Sequence, residues 1–269
     1  MQCVPFLLPD CRLLTTAIVH RWLYDKPGIL HRDLSLRNIM CRIIEETNVD
    51  GERERKVYGV LMDYDLSSWT KDLNNGLTGI SQQCTGTPPY MASELLCETG
   101  ITHLYRHDLE SLFYIMLLVC GRYTLDDVED SATMEVTRKV VKRRGNLPYQ
   151  EWFDYRNYKT LGVNKNSFIL EMENIQLSPP PKDFHWWLGF IQLQFSEGFA
   201  AKRRTKRNEL AKKYDIPSLG EDIPFDEETM GGHVTYSSII EITRRLKGEL
   251  EGLSIRYQGE TATPHSSLS

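Results

Sequence analysis

The sequence lacks any apolar run long enough to cross a bilayer. Its longest, Leu112 to Cys120, falls well short of the roughly 20 residues a spanning helix needs. Met1 to Pro9 has neither the basic start nor the long apolar stretch of a secretory signal. Zinc-type and disulfide-type patterns are missing too. The six cysteines (Cys3, Cys11, Cys41, Cys84, Cys97, Cys120) form no C-x-x-C pair and have no histidine at zinc spacing. They read as reduced thiols of an intracellular protein. A net charge of −5 gives no general cause to expect nucleic-acid binding, and no internal repeat points to a solenoid. What remains is ordinary globular composition, with 41% hydrophobic and 26% charged residues, and 269 residues can bury a sizeable core.

Hydrophobic periodicity predicts a helix after Asp10 with Leu13, Leu14, Ala17, Ile18 and Trp22 on one face. Lys26-Pro27-Gly28 should end it. Two strands follow, Ile39–Ile44 and Val57–Met62, with the turn pair Asp50-Gly51 between them. The run from Leu109 to Val119 is apolar on nearly every side, which predicts a hub helix enclosed by other elements. Further helices are expected at Ala132–Arg143, Lys165–Asn174, Trp186–Phe199 (continuing as a basic stretch to Tyr214) and Ile239–Leu250. Ser178-Pro179-Pro180-Pro181 reads as a turn or linker, and the tail from Gln258 as polar and disordered.

Chemistry concentrates in a few short stretches. His31-Arg32-Asp33-Leu34-Ser35-Leu36-Arg37-Asn38 has the form H-R-D-x-x-x-x-N. In protein-kinase catalytic loops that spacing presents an aspartate to the substrate hydroxyl and an asparagine to magnesium. The second predicted strand delivers Asp63-Tyr64-Asp65. Gly86-Thr87-Pro88-Pro89-Tyr90-Met91-Ala92-Ser93-Glu94 begins as a rigid turn, and Asp108 stands at the head of the hub helix.

In this order, these pieces resemble the C-terminal lobe of a protein kinase, and more closely the fungal-type protein kinase family. The closer resemblance rests on His31–Ser35 with Asn38-Ile39-Met40, Gly59–Leu66, Thr85-Gly86-Thr87, Tyr90-Met91-Ala92, Tyr105–Ser111 and Glu228–His233, and spans roughly residues 10–250. It implies an α+β family fold, mostly α in this chain, with a small β-hairpin and a buried hub helix. Residues 1–250 form the lobe and 251–269 a polar tail. Asp33 would orient the acceptor hydroxyl and take its proton, while Asn38 and Asp63 would hold the Mg2+ ions that bridge the ATP phosphates. Arg32 would face a phosphorylated activation segment, with Thr78, Ser81 and Thr85 as candidate sites. His31 and Tyr64 would join the apolar stack between lobes, Asp108 would fix the loop backbone, and Thr87 and Glu94 would support the acceptor platform.

Three departures qualify the resemblance. Ser35 replaces the lysine that usually offsets phosphoryl charge, a task that Arg37 takes over in one reading and leaves undone, as a plain surface charge, in another. Asp65 replaces the glycine of D-F-G, and Ser93 the proline of A-P-E. The sequence also contains no G-x-G-x-x-G loop and no strand lysine, so the N-terminal lobe is expected to be missing, activity to be reduced or absent, and apolar surface around His31 and Tyr64 to lie open.

The expected activity is ATP-dependent phosphorylation of serine or threonine in a protein substrate. The alternatives are a non-catalytic lobe acting as binding module or scaffold, with a partner covering the open face, and a small-molecule phosphotransferase. The expected location is cytoplasm or nucleus, with neither membrane nor nucleic acid as partner. Lys202-Arg203-Arg204-Thr205-Lys206-Arg207 reads equally as an import signal or a solvated helix face. If Arg37 offsets phosphoryl charge, Arg37→Ala lowers turnover more than ATP affinity. Steady-state kinetics showing equal loss of both, or of neither, would place Arg37 outside the site.

Overall fold

The computed structural model describes residues 12–47, 53–71, 86–129, 136–143, 149–171, 175, 184–217 and 224–251. Expectations for Asp10, the Asp50-Gly51 turn, Thr78, Ser81, Thr85, Ser178–Pro181 and the tail lie outside them. The described part is mostly helical, with three two-stranded antiparallel sheets. Helix α1 (Arg12–Asp25) leads to β1 (Ile29–Leu30), and the hairpin β2 (Ile39–Thr47) and β3 (Arg53–Leu61) follows. Next come β4 (Ser68–Trp69), which pairs with β1, the short α2 (Ser93–Cys97) and the hub α3 (Tyr105–Arg122). A second hairpin, β5 (Tyr123–Glu129) and β6 (Val136–Arg143), precedes α4 (Tyr158–Leu170), α5 (Phe184–Lys213) and α6 (Tyr236–Glu251).

The hub is as expected. Every residue of α3 from Tyr105 to Gly121 is buried. Around it pack Phe168 and Ile169 of α4, Leu188, Ile191, Phe195 and Phe199 of α5, and Ile239 and Ile240 of α6. Each such side chain contributes about 1.5–3 kcal/mol of transfer free energy.

Three expectations are corrected. In α1, Ile18 and Trp22 are exposed; the buried stripe is Thr16, Ala17 and His20, because this face meets α3 and α6 and must bring a polar histidine to Asp108. The helix expected at Ala132–Arg143 is a strand over Val136–Arg143. Its register sets Asp127 opposite Lys139, and the β-branched Val136, Thr137, Val140 and Val141 suit the pleated backbone. Helix α4 begins at Tyr158, not Lys165, because Asn157 caps it by accepting a hydrogen bond from Thr160 N–H at 2.8 Å.

Gly28 ends α1's exit turn with φ +73°, as the Pro-Gly pair implied. The Glu228–His233 stretch also has a physical reading. Met230, Gly231 and Gly232 take φ values of 53°, 68° and 88°, an unbroken left-handed run that buries Met230 against α5. Helices α2 and α4 approach just as closely at Gly162. A methyl there would lie 2.6 Å from Cys97 Sγ and 2.9 Å from Leu96 Cβ. Gly162→Ala should therefore cost about 1–3 kcal/mol in urea unfolding. Gly189→Ala on α5, where a methyl meets nothing within 4 Å, should be neutral or stabilising. Equal effects would overturn the close-packing reading.

Candidate active site

The site forms where the chain leaves β1. Buried Leu34 anchors the loop to the core, and Asn38 N–H donates to the Ser35 carbonyl at 3.0 Å, closing the turn into β2. Asp33 is only partly buried and is held from both sides. Its Oδ1 accepts hydrogen bonds from the Thr87 N–H at 2.8 Å and the Thr87 hydroxyl at 2.9 Å. Its Oδ2 accepts one from Asn38 Nδ2 at 3.0 Å, and the same nitrogen donates to the Asp33 carbonyl at 2.9 Å. A carboxylate has about four acceptor positions, so this arrangement leaves one on Oδ2. Residues far apart in sequence thus converge on one carboxylate.

Asp63 follows directly from β3. The Met62 N–H donates to the Asn38 carbonyl at 2.9 Å, which brings Asp63 beside Asn38 along the backbone. Asp63 is exposed and takes φ 62°. The left-handed position thus falls on Asp63 and not on Asp65, so an aspartate at 65 is compatible with this backbone. Arg37 is exposed and makes no ion pair with any described residue. Ser35 is only 1% exposed, so its side chain points into the protein and does not stand in for a phosphate-facing lysine.

The His31 side chain itself is enclosed, while the apolar surface beside it at Met62, Tyr64 and Leu66 is exposed. Its Nε2–H donates to the Met62 carbonyl at 3.0 Å, and the Tyr64 ring lies 5.0 Å away. Burial pushes its pKa down. Tyr64 keeps 38% of its surface exposed.

Arg32 takes φ 70°, a strained conformation for a non-glycine residue. It is stabilised because its N–H, turned inward, donates to Asp108 Oδ2 at 3.0 Å. Its guanidinium donates to Ser68 Oγ at 2.6 Å. Asp108 is fully buried and receives two more donors, His20 Nε2–H on Oδ2 and His103 Nε2–H on Oδ1, both at 2.8 Å. The Tyr236 hydroxyl donates to His20 Nδ1 at 2.7 Å, which leaves Nε2 to carry the proton. Burial alone would raise the Asp108 pKa; His103 and His20 outweigh it and hold the carboxyl well below its usual range. Sequence reasoning gave Asp108 a bond to the loop backbone, as the Arg32 N–H makes, and missed His20, His103 and the Tyr236 behind His20. His20 and Tyr236 lie 88 and 128 positions away with no motif of their own.

Below the platform, Glu94 accepts from Lys202 Nζ at 2.7 Å and from His107 Nε2–H at 3.3 Å, and pairs with Arg106. Burial would raise its pKa, but His107, Arg106 and Lys202 together bring it far below the usual carboxylate range. Lys165 is fully buried. Its Nζ donates to the Met91 carbonyl at 2.6 Å and the Pro88 carbonyl at 3.2 Å, and lies 4.0 Å from the centre of the Tyr114 ring. Glu110 accepts from the Ser93 N–H at 2.8 Å and the Tyr114 hydroxyl at 2.7 Å. The segment that touches Asp33 is therefore pinned from beneath by a buried lysine and a buried glutamate.

Comparison with known proteins places matches over the same part of the chain. Residues 12–120 match the fungal protein kinase family. That stretch holds the catalytic loop, Asp63, Thr87–Glu94 and Asp108, though it is less than half of the chain. Over 72 residues the chain is 40% identical to Kinase and exchange factor for Rac B of Dictyostelium discoideum. This covers 27% of the chain and 5% of that protein, so the chain spans a small fraction of its relative's length. Both findings support a kinase-like reading. No described helix is long and apolar enough to cross a membrane.

Stability should depend on acidity through His107. Leu104 N–H donates to its Nδ1 at 3.0 Å and Nε2–H donates to Glu94, so the ring is buried with one proton. Burial pushes its pKa from 6.5 down to about 3. The unfolded chain thus takes up a proton that the folded protein refuses, and the stability present above the unfolded pKa drains as pH falls. Its slope is about 1.4 kcal/mol per pH unit below 6.5. Urea titrations should show His107→Gln flattening the decline between about pH 6.5 and 5. An unchanged slope would mean that other groups carry it.

Proposed function

We propose that the chain carries the catalytic-loop side of an ATP-dependent protein kinase acting on serine and threonine. Carrying the reading is the double hydrogen bond from Thr87 to Asp33 Oδ1. It ties the acceptor-facing segment to the proposed base and leaves Oδ2 to meet a substrate hydroxyl. Asp33 accepts the proton of that hydroxyl, and Asn38 Nδ2 fixes the rotation of the carboxylate. A small β-hydroxyl is the acceptor that suits a platform bonded this tightly to the base.

Two oxygen donors would hold magnesium, the Asn38 side-chain carbonyl and the Asp63 carboxylate. The residues fit. Asp63 is exposed and forms no ion pair with a described residue, and the amide nitrogen of Asn38 is spent on Asp33, which orients its carbonyl oxygen elsewhere. One carboxylate with one amide oxygen is a donor set for a cation carried in with nucleotide phosphates rather than one caged by protein. Among the described residues, no three His, Cys, Asp or Glu side chains cluster as a self-sufficient metal site. Bound magnesium would neutralise phosphate charge. Arg37, exposed and in no ion pair with a described residue, is the solvent-facing cation of this loop that can add to it.

A second reading, a non-catalytic binding module, is favoured by the apolar exposure of Met40, Tyr58, Val60 and Met62 on the hairpin side and of Tyr64, Leu66 and Trp69 after it. Thermal unfolding with Mg-ATP separates the two. A functional nucleotide site gives roughly 3 kcal/mol of stabilisation at a hundredfold excess over its dissociation constant. Asp33→Asn should keep that shift and lose phosphoryl transfer to a protein acceptor. Absence of any shift would exclude catalysis by this chain and leave the binding-module reading.

A further inference from the structure

Helix α5 carries a charge cluster that the site above does not use. Of its basic residues, Lys202 is committed to Glu94 and Glu227, and Lys212 and Lys213 sit in the last turn, where cations suit the helix dipole. Arg203, Arg204, Lys206 and Arg207 have no such explanation. All four are exposed and pair with no carboxylate among the described residues. Elsewhere exposed arginines do find partners one turn away, as Arg21 with Asp25 and Arg244 and Arg245 with Glu241. On α5 the neighbours three and four positions apart include Arg203 with Lys206 and with Arg207, like charges that weaken a helix.

At about 100° per residue, Arg203, Lys206, Arg207, Leu210 and Tyr214 share one outward face. Leu210 is 55% and Tyr214 65% exposed, so the face mixes cations with apolar surface. At its root lies a small groove between α2, α4 and α5, about 160 Å3 in volume, lined by Asn166, Phe199, Arg203 and Lys206 among others. Asn166 has a buried side-chain carbonyl oxygen with no hydrogen-bond partner among the described residues. Glu94 and Glu98 also border the groove; Glu94 is held by Arg106, His107 and Lys202, and Glu98 leaves the acid-selecting charge on the outward face of Arg203, Lys206 and Arg207 rather than at the α2 side of the groove.

We propose that this face and groove dock an acidic segment of a partner protein, one that carries carboxylates beside an apolar side chain. Charge complementarity selects acid, and the two apolar side chains that follow the cations along the same face select a mixed sequence over a uniform polyanion. A nucleic acid would extend past the patch onto a chain whose net charge is −5. A membrane would need a continuous apolar face, whereas here Leu210 and Tyr214 stand beside three cations, and the exposed Trp186 and Phe190 lie near the other end of α5 and off this face. The site acts without ATP and does not depend on the phosphotransfer reading.

The test is fluorescence anisotropy on the full chain with a labelled peptide of Glu and Asp around a single Leu. The comparison probes are a single-stranded DNA, vesicles of phosphatidylcholine with phosphatidylserine, and the same peptide with Lys in place of the acids. The acidic peptide should bind and weaken with added salt. The triple variant Arg203→Glu, Lys206→Glu, Arg207→Glu should weaken it at least about tenfold. Leu210→Ser with Tyr214→Ser should weaken it by a smaller factor. All these positions are exposed, so an unchanged melting temperature shows that the fold is kept. The proposal is overturned if the charge-reversed variant binds equally well, if the acidic peptide does not bind, or if DNA or vesicles bind more tightly through the same residues.

Discussion

The buried carboxylate of Asp108 is the constraint on which the rest of the site depends. It lies in the hub helix, fully enclosed, and retains its charge only because two histidines and one backbone N–H converge on its two oxygens. An ionised carboxylate in such a place is costly unless every partner is present. Each partner therefore does two tasks. The Arg32 N–H satisfies Asp108 and in doing so holds Arg32 at a left-handed φ, which sets the direction in which Asp33 leaves the loop. His20 ties α1 to the hub, and Tyr236 extends the same chain of hydrogen bonds to α6, so the first and last described helices both report to the catalytic loop.

A second electrostatic knot does for the acceptor side what Asp108 does for the loop. Glu94 binds α2 to the hub through Arg106 and His107 and to α5 through Lys202, while Arg106 and Lys202 both reach Glu227 before α6. The platform carrying Thr87 sits between the two knots. Its shape is a property of four helices rather than of its own proline-rich turn.

Short motifs with fixed spacing were legible because their chemistry is local. The spacing within the loop brings Asn38 onto Asp33, and Asp108 lies under the loop, but the hydrogen bonds from Thr87 to Asp33 could not be read from the letters. The enclosed hub helix could be read from its unbroken apolar run. Reading failed where burial is decided by tertiary partners. The face of α1 that looks apolar is exposed at Ile18 and Trp22, since Asp108 calls for His20 on the inner side. Trp186 and Phe190 of α5 are exposed for a similar reason, with Leu188, Ile191 and Phe195 taking the inner stripe. At Val136–Arg143 a charged, β-branched stretch fits a helical period by chance, and pairing with β5 makes it a strand. Nothing near Glu94 in sequence identifies Lys202 as its partner.

Lys165 ties the Thr87–Glu94 segment to a distant helix. Its side-chain nitrogen donates to the carbonyls of Pro88 and Met91, yet it comes from α4, more than 70 positions later in the chain. Until that helix docks, those two carbonyls have no buried partner, and the loop they belong to has no reason to prefer its final curve. The segment that touches Asp33 thus depends for its shape on a helix beyond the second hairpin. A chain lacking α4 would hold every letter of H-R-D-x-x-x-x-N and still lack what supports the segment that touches Asp33.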